Sequence, residues 1–267
     1  MPTGSKFTLK IKDYIDSPER KREYNEQHFS EAASRYDFAT RAMSLGRDAA
    51  WKRQLVAALP HVPAPFCIDL ACGTGDIAFL LAEKYPAGRI VGIDLTEPML
   101  QLARQRSASA NIEFLRRDMG DTGFPSESAD IVTGGYAVRN AAELHQAFLE
   151  IHRILKPGGC VALLDFSKPP SPWFQQLQYL VLKYWCGLWG FLLHGNSEVH
   201  SYISASLKTF PDRRQLREII AEAGFAVSHS RQFYFGTLEL LVLRKQTAFS
   251  LTAAKKNSSH DHSSQTN

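Results

Sequence analysis

The ten residues Phe66 to Gly75, FCIDLACGTG, constrain this chain more than any others. An apolar strand segment carries Asp69 near its end, glycines follow at 73 and 75, and a helical stretch begins directly after. The glycines let the backbone turn sharply and let a ligand approach it, while free N–H groups at the helix start offer donors. The pattern then repeats. A helix from about Ile77 to Lys84 leads to the strand RIVGID, and a helix from about Pro98 to Gln105 leads to IEFLRRD and ADIVTGG. A further helix from about Glu143 to Leu155 leads to CVALLDF. Short apolar runs alternating with helices predict a parallel sheet covered on both faces. A last helix, about Arg213 to Ala223, precedes AVSHSRQFYF and TLELLVLRK, joined at Gly236. Such a hairpin makes the final strand antiparallel.

Carboxylates decide what the glycine loop would hold. Gly73-x-Gly75-x-x-Ala78 also fits the dinucleotide fingerprint, so the loop alone leaves a nicotinamide enzyme open. Asp69, however, stands before the glycines, where a pyrophosphate meets unwelcome negative charge and a sulfonium ligand with an amino group finds a partner. Asp94 ends the next strand, about 20 residues beyond the loop, where a carboxylate accepts from both ribose hydroxyls. Asp118 follows the third strand, within reach of an adenine. This D-x-x-x-G-x-G arrangement resembles the class I methyltransferases that bind S-adenosylmethionine (SAM). The resemblance implies a Rossmann-like sheet of seven strands, six parallel and one antiparallel. It implies SAM as cofactor, held by Asp69, Gly73, Thr74, Gly75, Asp94, Leu95, Asp118, Met119 and Gly135. The fourth strand ends TGGYAVRN, without the Asn/Asp-Pro-Pro-aromatic run of enzymes that methylate exocyclic or amide nitrogens, which favours a carbon or oxygen acceptor.

Around this core lie segments of different character. Residues 1–64 read as a helical lid that ends at Pro60, Pro63 and Pro65, residues 65–245 as the SAM-binding domain, and residues 246–267 as a disordered polar tail. Inside the domain an insert at about 168–210 holds three of the four tryptophans within Trp173 to Leu193, with Lys183 as the only formal charge there. An apolar cap over a lipid-like substrate that touches the membrane interface is the favoured reading, with a packed helix or a homodimer contact as alternatives. The apolar stretch Leu177–Leu193 falls short of a membrane span, and Met1 to Arg22 is too polar for a secretory signal and too acidic for a transit peptide. Cys67, Cys72, Cys160 and Cys186 form no CxxC pair, so reduced thiols, no metal and a cytoplasmic location are expected. A net charge of +4 gives no ground for nucleic-acid binding. His260 and His262 read as solvated tail residues.

From about His28 to Arg244 the chain resembles the ubiquinone/menaquinone biosynthesis C-methyltransferases of the UbiE/MenG type. The likeness is carried by Phe29-x-x-x-Ala33-x-x-Tyr36-Asp37, Met43-Ser44-x-Gly46, Trp51-Lys52-Arg53 and Arg139-Asn140. It continues in Arg153-Ile-Leu-Lys-Pro-Gly-Gly159, Phe166-Ser-Lys-Pro169, Tyr202-x-x-x-Ser206 and Phe210-Pro-Asp212. The chain departs from that pattern at Ala39-Thr40, Asp48, Gly135 and Asp165. The resemblance implies methyl transfer to a ring carbon of a demethylated prenyl quinol, of benzoquinol or naphthoquinol type. Another lipid-like acceptor, or a non-catalytic SAM-binding subunit of a quinone-synthesis complex, stands as the alternative. A ring carbon becomes nucleophilic when a neighbouring phenol loses its proton, so the site needs a group that stabilises a phenolate. Arg139 is the candidate, against a purely structural salt bridge. Asn140 would orient Arg139 or the substrate oxygen, or else cap the following helix. Tyr36 would touch the methionine end of SAM or the substrate, or else pack. His194 and His200 are weaker candidates for accepting a proton.

Overall fold

The computed structural model describes residues 17–246. The first sixteen residues and the tail beyond Gln246, including His260 and His262, lie outside the described residues.

Seven strands form one sheet in the order β3-β2-β1-β4-β5-β7-β6: β1 Phe66–Leu70, β2 Arg89–Asp94, β3 Ile112–Arg116, β4 Ala129–Gly135, β5 Leu155–Phe166, β6 Phe225–Phe233 and β7 Leu238–Lys245. β1 to β5 pair in parallel, and β7 runs antiparallel to both β5 and β6. The expected pattern of six parallel strands and one antiparallel therefore holds. The chain leaves β1 for β2 and β3 on one side, then returns to place β4 on the other. At such a reversal the two crossover connections diverge and leave a crevice beyond the strand ends.

Successive residues of each strand feed opposite layers. Ile68 and Leu70, with Val91, Ile93 and Val132, pack against Phe148, Ile151 and Ile220. Cys67, Ile90 and Ile131 pack the other way, against Leu81, Leu100 and Leu55. The first layer belongs to α6 Leu144–Ile154 and α9 Arg213–Glu222, the second to α3 Asp48–Ala57, α4 Asp76–Lys84 and α5 Glu97–Arg106. Two starts show how local chemistry sets the helices. Gly75, at φ 92°, makes the left-handed turn into α4. Asp212 and Gln215 form a reciprocal capping box for α9.

The remaining helices cover the strand ends. They are α1 Pro18–Ala32, α2 Tyr36–Met43, α7 Pro172–His194 and α8 Glu198–Thr209. A separate apolar cluster of Tyr24, Ala32, Cys186, Tyr202 and Ile203 ties α1 to α7 and α8. In sequence α1 and α7 are some 150 residues apart, yet they share this core because both lie over the strand ends. The insert is thus an antiparallel helix pair, turned at Gly195 with φ 67°. No helix among the described residues is long and apolar enough to cross a membrane.

Two local expectations need adjustment. Lys156 to Gly159 interrupt β5: Leu155 pairs with Ala129 and Cys160 with Ile131, so the pairing shifts register there. β3 ends at Arg116, and Asp118 begins a tight turn in which its side chain accepts from the Gly120 N–H at 2.7 Å.

Candidate active site

The ends of β1, β2 and β4 and the turn after β3 converge on a cavity lined by Gly73, Asp94, Leu95, Asp118, Met119 and Gly135, with Tyr36 and Asn140 on its far side. Asp69 and Thr74 line a smaller adjoining recess with Tyr36, Gly73 and Lys52. Gly75 shapes the loop but lines neither space.

Asp94 anchors the loop. Its two oxygens accept from the N–H groups of Gly73 at 2.9 Å and Thr96 at 2.8 Å, yet burial outweighs these bonds and raises its pKa. The Thr96 side chain and the Leu95 N–H also bond to this carboxylate, so a ligand hydroxyl would share its acceptor sites with them. Asp69 takes one hydrogen bond, from Thr133 Oγ1 at 2.7 Å, while its Oδ2 is buried without a partner. Burial pushes this carboxyl up to about 7, against the Thr133 bond and the nearby Lys52. An orphaned, buried carboxylate oxygen beside the loop suits a cationic amino group. Over Gly73, at φ 54°, a Cβ would meet nothing closer than Tyr36 at 4.0 Å, which leaves room for a ligand against the backbone. Three carboxylates and an open glycine fit SAM, which carries a sulfonium and an ammonium. They do not fit a diphosphate.

Thr74 does not reach into the cavity. Its hydroxyl donates to Asp37 at 2.5 Å, and Asp37 in turn pairs with Arg106. Arg106 and Lys52 both hold Asp76, and Lys52 also holds Asp48 at 2.6 Å. Burial opposes the Lys52 charge, but Asp48 and Asp76 outweigh it and raise its pKa. The network clamps α2 and α3 onto the glycine loop. It was not legible in the sequence, although Trp51-Lys52-Arg53 marked its place.

α1 closes the cofactor cavity to about 70 Å³. Arg22 pairs with Asp118 at 2.5 Å, Arg116 with Glu26, and Asn25 donates to the carbonyl of Asn140 at 2.7 Å. Arg22 and Asn25 carried no sequence signal for this role.

Beyond this wall lies a second cavity of about 450 Å³, lined mostly by apolar side chains including Met43, Phe166, Leu182, Trp185 and Ile203. Phe29, Tyr36, Tyr136 and Asn140 line both cavities and form the partition. Tyr136 holds a left-handed backbone at φ 58°, and its hydroxyl donates to Asp48 at 2.9 Å. A bulky residue in that conformation is uncommon and marks a position fixed by its surroundings.

Among the described residues, Arg139 is the one Lys or Arg side chain lining the apolar cavity. It is only 3% exposed. Its Nε stands 3.4 Å from Asp165, Nη1 donates to Ser206, and the guanidinium lies over the Phe166 and Tyr202 rings, each at 5.4 Å. Burial works against its charge, but Tyr202 and Asp165 outweigh it and raise its pKa, so it stays a cation. Nε makes no hydrogen bond. Asn140 sits in a short turn, Val138–Asn140, and the following helix is capped by Glu143. The helix-capping alternative for Asn140 is therefore excluded. Its amide instead donates to the Tyr136 carbonyl at 2.9 Å and bonds with the Tyr202 side chain. Burial raises the Tyr36 and Tyr202 phenols, which remain donors at neutral pH. His194 lies at the end of α7 and lines neither cavity; the His200 side chain is outside the described residues. In the sequence Tyr202, Ser206 and Asp165 stand out only as pattern positions.

Comparison with known proteins places the whole arrangement. Residues 18–242 match the profile of the ubiE/COQ5 methyltransferase family. The chain belongs to this family. Among its relatives, a demethylmenaquinone methyltransferase of Thermus thermophilus is 36% identical over 204 residues, covering 75% of this chain and 92% of that one. The ubiquinone/menaquinone biosynthesis C-methyltransferase UbiE of Desulfotalea psychrophila is 32% identical, covering 80% and 87%. In three dimensions a SAM-dependent methyltransferase of Thermotoga maritima superposes with TM-score 0.59 at 16% identity, over 83% of this chain and 99% of that one. Another from Mesorhizobium loti gives 0.55 at 18%, over 74% and 98%. These two share the fold. Membership in the family makes the chain a SAM-dependent methyltransferase, and SAM supplies an electrophilic methyl group.

Proposed function

We propose that this methyltransferase transfers the methyl group of SAM to a ring carbon of a demethylated prenyl quinol, in menaquinone or ubiquinone biosynthesis. One observation carries the reading: a polar, carboxylate-lined cavity and a larger apolar one share a wall, and a single buried cation faces the apolar side. An apolar acceptor with one ionisable oxygen matches that arrangement.

In this reading Asp94 receives the ribose, Asp69 the amino group, and Asp118 the adenine once Arg22 is displaced. Gly73, Leu95, Met119 and Gly135 form the walls, and Thr74 and Gly75 hold the loop's shape. Arg139 stabilises the phenolate that pushes charge into the ring, as a fixed cation already free of water. Asn140 and Tyr36, in the partition, orient the ring and the methionine end of SAM. α1 and α2 act as the lid of residues 1–64, and the helix pair near 168–210 shields the prenyl tail. The relatives bearing demethylmenaquinone and ubiquinone/menaquinone names support the quinol class. Because such a substrate resides in a bilayer, the enzyme meets it by peripheral contact at the cytoplasmic membrane face.

Incubation with isotope-labelled SAM and a panel of reduced benzoquinones and naphthoquinones tests this. Label is expected in a prenyl quinol product located by mass spectrometry. Transfer only to unrelated lipids, or to none of the panel while SAM binds, would remove the quinol assignment.

A further inference from the structure

We propose that the apolar face around the mouth of the acceptor cavity rests on the surface of an anionic lipid bilayer. The proposal rests on the prenyl-quinol reading and names the surface through which that substrate arrives.

Helix α7 presents three faces. One, with Tyr179, Gly187 and Gly190, is buried; a second, with Leu182, Trp185 and Cys186, lines the cavity. The third carries Trp173, Leu177, Leu180, Tyr184, Leu188 and Phe191 at helical spacing, between 42% and 68% exposed. The stripe runs the length of a 23-residue helix. It is too narrow for a span and has the form of a helix lying in the interface plane, with Trp and Tyr suited to the headgroup level.

Two loop tips extend the stripe. Leu45 is 76% exposed and Phe235 85%. Both, and Tyr234 beside Phe235, hold left-handed backbones at φ 51°, 55° and 48°. Apolar residues seldom adopt that conformation, and here no burial offsets it. The pieces are contiguous: Phe174 stacks on Phe235 at 6.1 Å, and Phe38 meets Trp189 edge-on at 6.2 Å. Leu45, Val181 and Tyr234 are exposed and also line the cavity, so the cavity opens through this face.

Charge selects the occupant. Residues 38–47, 166–197 and 225–237 contain no Asp or Glu, although the chain as a whole has 27. They contain Arg47, Lys168, Lys183 and Arg231, besides Arg41, which lines a separate recess with Asp37, Asp48 and Asp76. Against a second copy of the same face these cations would repel one another with no acid to pair. Against anionic headgroups they attract, and the apolar side chains between them enter the acyl boundary.

The test is co-sedimentation of the full chain with vesicles of phosphatidylcholine alone and of phosphatidylcholine with phosphatidylglycerol. Partitioning onto the anionic vesicles is expected to be at least about tenfold stronger and to weaken with salt. The variant W173S/Y184S/F235S, in which no changed residue lines either cavity, should lose at least about tenfold of that binding. It should keep its melting temperature and its rate on a tail-less, water-soluble quinol. K183E/R231E should erase the preference for anionic vesicles. Wild type that ignores both vesicles, or a triple variant that binds like wild type, overturns the proposal. So does conversion of a dimer to a monomer by the triple variant, which would make the face a contact between copies. The tail-less quinol assay needs no membrane, so failure of the quinol reading shows there and failure of the docking face shows on the vesicles.

Discussion

The two cavities on either side of Tyr36 and Tyr136 are built by different means. The cofactor cavity is made of backbone and carboxylates at the ends of neighbouring parallel strands, each fixed by a bond to the next, as Asp94 is to Gly73. The acceptor cavity is made of side chains from α1, α2, α7, α8 and the β6–β7 turn, held by packing. The first is narrow and charged; the second is wide and apolar, with Arg139 as its only Lys or Arg among the described residues. Sheet geometry repeats from fold to fold, so a methyl donor can be read the same way in many proteins. A wall of helices can be reshaped without touching it, and on the proposed reading that is where acceptor choice resides.

Separating the halves by mutation is the strongest challenge to this picture. Arg139→Ala should lower methyl transfer at least about a hundredfold, the cost of one preorganised donor, while SAM affinity stays within a small factor. Removing the cation also strands the buried Asp165, so the variant's stability must be followed; Arg139→Lys, which keeps the charge without the planar fork, should recover activity only in part. An Arg139→Ala enzyme that is folded and fully active would return Arg139 to a structural role.

On the cofactor side Asp94→Ala should weaken SAM binding by about 1.5–3 kcal/mol, with affinity for an apolar quinol analogue unchanged by calorimetry. The orphaned Asp69 adds a pH signature. Its carboxyl stays protonated up to about pH 7 in the free protein, and an ammonium ligand favours the ionised form. Binding then releases a proton below pH 7, so SAM affinity should rise by up to about tenfold per unit as pH increases toward 7 and level off above it. Asp69→Asn should flatten that slope. The same shift has a sign for stability: from the unfolded pKa near 4 up to about 7 the folded state holds the extra proton, so Asp69 makes the free protein less stable as pH rises through that window.

Smaller effects sharpen the boundary. Trp185→Ser, which opens the apolar wall and removes the indole bond to the Met43 carbonyl, should raise KM for long-tailed quinols by about tenfold and for tail-less ones much less. Equal effects on both would place the tail elsewhere. Arg22→Ala removes a half-exposed ion pair from the adenine end and should tighten SAM by less than about fivefold.

The same division governs what could be read before folding. Asp69, Asp94 and the glycines announce themselves because strand, turn and helix are consecutive in sequence, and the register that aligns their ends follows from parallel pairing. The hairpin at Gly236 was equally legible as a turn between two apolar runs. The Tyr136 hydroxyl on Asp48, the Ser206 contact of Arg139 and the Arg22 bridge to Asp118 join residues 67 to 96 positions apart. Nothing local distinguishes those side chains from solvated ones. The aromatic density of α7 was plain, but its separation into buried, cavity-lining and open faces depends on where α1 and α8 pack.

In the proposed reaction the two cavities meet so that a methyl group passes to carbon beside a phenolate held by Arg139. The most direct test supplies SAM carrying a 13C methyl group with a reduced demethylated prenyl naphthoquinone or benzoquinone and examines the product by NMR. A labelled methyl bonded to ring carbon is expected, with Arg139→Ala producing almost none. A methyl bonded to oxygen, or undiminished ring methylation by the Arg139 variant, would contradict it.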